Sequence, residues 1–242
     1  MLESHPALVC QSEVFNSDDP RLPYPLTMTT SDILDRWVYG THSDQCEAAG
    51  FVLQIYHPGG LKAFPGIREN PSWENIWELL EKMSDLRVIH LRRENGLARH
   101  LSHVLARRSG HWHQWNPQRL DKVTHLHIPD PPQEIGLERP VISLDADRLR
   151  QDFEEVDELH RAVQDKFSTG HYFPLSYEQL CREPEPLGES LLRFLNLSPA
   201  ALIPAVSKLE LLPLDQRISN FRELARAFKN TRWSEYFEPD RA

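Results

Sequence analysis

Cysteine is scarce in this chain. Among 242 residues there are three, Cys10, Cys46 and Cys181, an odd number at wide and motif-free spacing. That argues against a disulfide framework or a zinc ribbon and makes a reducing, cytoplasmic setting the expectation. Glycine is also low, at 10 against 19 prolines, so many loops are stiffened. No apolar run approaches the roughly 20 residues that a membrane span needs. No secretory leader pattern is visible, because Met1 is followed at once by Leu2-Glu3-Ser4-His5-Pro6. Positive charge is in deficit overall. A formal net charge of -9 speaks against a nucleic-acid-binding surface. There is no internal repeat and no low-complexity tract.

What the chain does have is enough hydrophobic residues, 40%, for one real core, and a length that fits a single domain over 1–242. Its basic residues are concentrated: Arg87, Arg92, Arg93, Arg99, Arg107 and Arg108 fall in one short region. A locally basic site on an acidic protein suits a small anionic ligand better than a polyanion. The region has a strand–helix pattern. Val88 to Leu91 is a short apolar run, Arg92 and Arg93 follow it, and Leu97, Leu101, Val104 and Leu105 recur at helical spacing from near Gly96. In an open α/β sheet, ligands bind beyond the carboxyl ends of strands. Two guanidinium groups there predict a phosphate or sulfate ligand.

The remaining pattern alternates strand and helix. Ala7 to Cys10 reads as a buried strand that delivers Glu13 just past its end. Thr30 or Ser31 can cap a helix through Val38. Phe51 to Tyr56 reads as the next strand, ended by His57-Pro58-Gly59-Gly60. A helix follows from Pro71-Ser72-Trp73 to Met83. Val141 to Leu144 is another apolar segment, and Asp145 or Asp147 caps a long helix to about Lys166. Tyr172 to Tyr177 reads as a strand, Leu187 to Leu195 as a helix, and Asn220 to Phe228 as the last helix. Residues 109–140 form an irregular excursion, a candidate lid, and residues 198–242 a C-terminal helical part. The predicted fold class is α/β, a three-layer domain with a mainly parallel central sheet.

The segment Val88-Ile89-His90-Leu91-Arg92-Arg93-Glu94-Asn95-Gly96-Leu97-Ala98-Arg99-His100-Leu101-Ser102 resembles the 3′-phosphate-binding segment of bacterial carbohydrate sulfotransferases. These nodulation-factor and trehalose-type enzymes use 3′-phosphoadenosine 5′-phosphosulfate (PAPS). Other segments match in order. Ser4-His5-Pro6 with Val9-Cys10 and Glu13-Val14-Phe15, Gly50-Phe51, Ser176-Tyr177-Glu178-Gln179-Leu180 with Phe194-Leu195, and Arg217-Ile218-Ser219-Asn220-Phe221 with Thr231 are each similar to a family segment. The resemblance implies a P-loop-like fold and sulfuryl transfer from PAPS to a hydroxyl of a carbohydrate or glycolipid, with PAP as the product. It implies Arg93 and Ser102 as the cofactor anchor, Arg92 as the neighbouring alternative, and Asn220 as a further cofactor contact. Glu13 matches the general base. A carboxylate at a strand end can take the proton of an attacking hydroxyl. No metal is implied, and no nucleic-acid partner.

One departure stands out. The family's Gly/Ser/Thr-rich loop for the 5′-phosphosulfate lies upstream of the Ser-His-Pro segment, which here is almost at the N-terminus. The expectation is a fold whose first strand and loop are missing, and hence either a truncated enzyme or a non-catalytic nucleotide- or anion-binding relative. His111-Trp112-His113 and His125-Leu126-His127 are His-x-His pairs that could ligate a metal with Asp130. No third ligand has a convincing spacing, so structural or acceptor-binding histidines are favoured. Trp112 and Trp115 could stack on a sugar ring or seal a small core.

Overall fold

The computed structural model describes residues 1–11, 13–16, 24–25, 27–40, 42, 44–55, 76–109, 140–204 and 212–238. The His-x-His pairs, the His57 to Gly60 turn and most of the 109–140 excursion lie outside them.

All the paired strands among the described residues are parallel. β1 (Leu8–Gln11) pairs with β2 (Ala48–Phe51), Leu8 opposite Ala48. β3 (Arg87–Arg92) pairs with β4 (His171–Ser176), Arg87 opposite His171 and Arg92 opposite Ser176. Among the described residues these are two separate two-stranded sheets rather than the one central sheet expected. The protein is therefore mixed α/β with short parallel strand pairs. β2 also starts and ends earlier than its apolar run predicts. Gly50 lies inside it, opposite Cys10, and Val52 N–H makes one further bond to the carbonyl of Gln11 (3.1 Å). Leu53 and Ile55 pack on the core without a strand partner among the described residues.

The helices follow their stripes closely. α1 (Thr30–Ile33) is capped by Thr29, whose hydroxyl accepts from Asp32 N–H, and runs on into a π turn over Leu34–Val38. α2 spans Ile76–Glu81. α3 (Gly96–Ser109) starts where expected, and Asn95 Oδ1 accepts from Ala98 N–H at 2.9 Å as its cap. α4 (Ala146–Phe167) is capped by Asp145, with Arg148 N–H donating at 2.9 Å. α5 (Tyr177–Arg182), α6 (Pro184–Leu195), α7 (Leu214–Arg217) and α8 (Phe221–Phe228) are the remaining α-helices among the described residues. α6 ends on Asn196 at φ 59°, the left-handed cap geometry that asparagine tolerates.

α4 joins the interior. Its first half puts Leu149 and Phe153 into a core with Leu97, Leu101, Leu224, Phe228, Trp233 and Phe237. Its last turns put Val163 and Phe167 into a second core with Phe15, Ile33, Val38, Ile76 and Trp77, on which Val88 and Tyr172 also pack. Both strand pairs thus contribute side chains to the core at one end of α4. The aromatic tail folds into a 3-10 turn (Ser234–Phe237) that closes the other core over Phe153. A parallel bridge between Ile142 and Ile218 ties the segment before α4 to the segment before α8.

The N-terminal Ser4-His5-Pro6 is structural. His5 is buried, accepts Ala7 N–H on Nδ1 (3.2 Å) and donates from Nε2 to Ser198 carbonyl (2.9 Å). Ser4 Oγ accepts from Ile203 N–H at 2.7 Å. These bonds fasten the chain start to the segment after α6.

Candidate anion site

β3 and α3 are separated by three residues, Arg93, Glu94 and Asn95, so the end of the strand and the start of the helix meet in a tight turn. Arg92, Arg93, Glu94, Gly96 and Arg99 form one wall of a cleft there. Phe153, Asp157 and His160 on α4 form the second, and Tyr236 closes the end. Its volume is about 70 Å³, well below the roughly 300–1,000 Å³ of pockets that hold drug-sized ligands. A phosphate-sized group fits; a nucleoside would have to lie outside it. Gly96 is required by the close approach of Tyr236, because a β-carbon there would stand 2.7 Å from Tyr236 Cε2.

The three arginines are held differently. Arg93 packs over the Tyr177 ring, 4.9 Å from its centroid, with Nε 3.9 Å from Glu178 Oε1. Arg99 is paired with Asp152, which His100 Nδ1 also contacts at 3.1 Å. The Nε atoms of Arg93 and Arg99 are buried without a hydrogen-bond partner among the described residues, the kind of orphan donor that an anion satisfies. Arg92 is exposed, and its side chain makes no hydrogen bond or ion pair among the described residues. Burial pushes the Asp152 carboxyl up, but the His100 hydrogen bond and the Arg99 charge outweigh it, and the net shift is down.

Glu178 fills part of the junction already. Its carboxylate accepts from the backbone N–H of Glu94 (2.9 Å) and Asn95 (3.3 Å), and from Ser176 Oγ at 3.2 Å. Behind the cleft lies a polar chain. Tyr172 hydroxyl is 2.5 Å from His90 Nδ1, and His90 Nε2 is 2.7 Å from His160 Nδ1. Burial first, then Arg92, pushes His90 down to about 4. Burial, then His90, Arg92 and Arg99, pushes His160 down to about 3.

Of the residues expected from sequence, Arg92 and Arg93 reach the cleft. Ser102 does not line it and is exposed on the second turn of α3. Asn220 bonds to backbone: Oδ1 accepts from Leu144 N–H (3.1 Å) and Nδ2 donates to Leu144 carbonyl (2.8 Å). Glu13 is half-buried beyond β1 and accepts from Gln54 Nε2 (2.6 Å) and Asn16 Nδ2 (3.1 Å). Arg99, Glu178 and the His90–His160–Tyr172 chain were not anticipated as site residues. His160 follows Phe153, Val156 and Asp157 at helical spacing, a polar residue beside the apolar stripe, and that was its one signal in sequence.

A cationic strand–helix junction of this kind defines the chain as an α/β protein with a candidate anion site. It is distantly related to nodulation protein H of Rhizobium meliloti, at 28% identity over 244 residues, which covers 98% of this chain and 88% of the relative. Nodulation protein H of Rhizobium meliloti strain 1021 is 27% identical over the same extent. No family model matches the chain. No solved structure matches it either. No described helix is long and apolar enough to cross a membrane, and no group of His, Cys, Asp and Glu among the described residues could hold a metal ion.

Proposed function

We propose that the protein is sulfotransferase-like, moving a sulfuryl group from PAPS to a hydroxyl of a carbohydrate or glycolipid. The observation that carries the reading is the arginine cleft at the end of β3. It lies within the segment that resembles the family's 3′-phosphate site, in a chain related over nearly its whole length to nodulation protein H. The buried Nε atoms of Arg93 and Arg99, which have no hydrogen-bond partner among the described residues, fit a phosphate group. Arg93 and Arg92 hold the 3′-phosphate; Ser102, the further contact that the resemblance assigns, lies on α3 outside the cleft. Glu13, steadied by Gln54 and Asn16, takes the proton of the acceptor hydroxyl as its oxygen bonds to sulfur. The bond from sulfur to the phosphate oxygen breaks, and PAP leaves.

The second reading is a non-catalytic anion-binding relative. Glu178 favours it, since a carboxylate already occupies the amides that a ligand would use. Calorimetry with PAP and a transfer assay with radiolabelled PAPS over a panel of glycan acceptors separate the two. Tight PAP binding with Glu13-dependent transfer supports the enzyme. Binding without transfer to any acceptor supports the binder. For the anchor itself, Arg92→Ala and Arg93→Ala should each weaken PAP binding about tenfold or more, the scale of a hydrogen bond to a charged group. Arg107→Ala, at the far end of α3, should leave it nearly unchanged.

A further inference from the structure

The chain of polar groups behind the cleft has a direction. Each of its two links needs one donor, and a phenol or a neutral imidazole carries one such proton. Tyr172 hydroxyl has no other hydrogen-bond partner among the described residues, so donation to His90 Nδ1 is the polarity that satisfies it within the protein. His90 then carries its proton on Nε2 and donates to His160 Nδ1. His160, accepting on Nδ1, must carry its own proton on Nε2. The reverse polarity would leave the phenol proton without an acceptor among the described residues. Burial first, and then the surrounding charges, hold both rings neutral. His90 faces Arg92 on β3, Tyr172 on β4 and His160 on α4. His160 faces His90 and Arg92 on β3 and Arg99 on α3. Asp157, on the same helix, is already bonded to Trp233 Nε1 and Arg232, both at 3.0 Å. Burial also holds the Tyr172 phenol above its ordinary value, which keeps it a donor.

We infer that His160 is a direct ligand of a phosphate-type anion in the arginine cleft, donating from Nε2 as a neutral imidazole whose tautomer the Tyr172–His90 chain sets. The inference rests on the cleft being the anion site proposed above, and it does not need that anion to belong to a sulfuryl donor. Arg92, Arg93 and Arg99 supply charge, and His160 supplies one fixed, uncharged donor. His160 itself changes no charge between about pH 5 and about pH 8, so the pH dependence of binding there follows the second ionisation of the phosphate, whereas a site built on an ordinary histidine would also gain charge near pH 6.5.

The test uses the full chain and inorganic phosphate as probe. His160→Ala should weaken phosphate binding about tenfold, and His160→Gln, which keeps an N–H at comparable reach, should recover most of it. Tyr172→Phe keeps the ring packing and removes only the first donor, so it should weaken binding several-fold with the fold intact. Two-bond ¹H–¹⁵N spectra should show His160 as the Nε2–H tautomer with and without phosphate, and calorimetry in buffers of different ionisation enthalpy should show no proton uptake. Phosphate affinity unchanged in His160→Ala, a proton taken up at His160 on binding, or no phosphate binding by the parent chain would each overturn the inference. PAP binding no tighter than phosphate, with the His160 effects intact, would remove the PAPS reading and leave this one standing.

Discussion

Arg93 and Glu178 meet at the end of β3, with Nε 3.9 Å from Oε1, although they come from distant parts of the chain. Each side chain is about one-fifth exposed. The pair sets a built-in competition. Glu178 neutralises a guanidinium that an incoming anion would use, and the same carboxylate holds the Glu94 and Asn95 amides.

Glu178→Gln should therefore act in two directions. Removing the competing charge should tighten inorganic phosphate binding by about 1 kcal/mol, roughly fivefold, at low salt, as for a partly exposed ion pair. Weaker bonds to the two amides should cost about 1 kcal/mol of stability. Calorimetry and thermal melts read the two effects separately. Unchanged affinity would mean that anion and carboxylate do not compete.

Gly96→Ala should destabilise the protein by about 1–3 kcal/mol, the scale of overpacking. The new methyl would stand 2.7 Å from Tyr236 and 3.3 Å from Phe153, whose rings pack edge to face at 5.2 Å and cannot both retreat freely. Chemical denaturation measures it. A loss below about 0.5 kcal/mol would show that the Tyr236 ring moves aside at little cost.

Acid should weaken the fold before carboxylates protonate. His90 and His160 have folded values near 4 and 3, below the ordinary 6.5 of the unfolded chain. Between those values the unfolded state binds more protons, so stability is full above about pH 6.5 and falls as pH drops toward 4. One such histidine contributes a slope of at most about 1.4 kcal/mol per pH unit, less where solvent reaches the ring from the cleft. Asp152, held below its ordinary value, adds a separate loss at lower pH, as pH falls through its folded value. Melting temperatures from pH 8 to 4 should decline below about 6.5, and His90→Gln should flatten the decline. A flat profile in the parent would refute the buried neutral pair.

Asn220→Ala should lower stability by about 1–3 kcal/mol, because Leu144 loses partners for both its N–H and its carbonyl. PAP affinity, corrected for the unfolded fraction, should stay within about threefold of the parent. A larger loss at full folding would restore the ligand contact that the sequence resemblance assigned to Asn220.

Local signals carried much of this structure. The capping Asp145, the stripe Leu149, Phe153, Val156, Leu159 and Val163, the apolar run Val88 to Leu91 and the helix after Gly96 all lie in windows where a period and a cap agree. β2 was misplaced because an apolar run records burial, whereas a strand ends where its partner does, and β1 is four residues long. The 3-10 tail was legible as core from Trp233, Tyr236 and Phe237.

The site divides along the same line. The sequence by itself determined that two arginines stand at the end of a short strand and precede a helix, since both are consequences of near-neighbour order; the strand itself is only partly buried, with Leu91 exposed. It could not decide which arginine is committed. That depends on Glu178 arriving from β4–α5 and Asp152 from α4, contacts fixed only when the helices dock. Nor could it join His90, His160 and Tyr172, three residues on three elements whose hydrogen bonds exist only because β3 pairs with β4 and α4 lies against both. A hydrogen bond requires atoms within about 3 Å. Across such sequence distances only packing brings them that close.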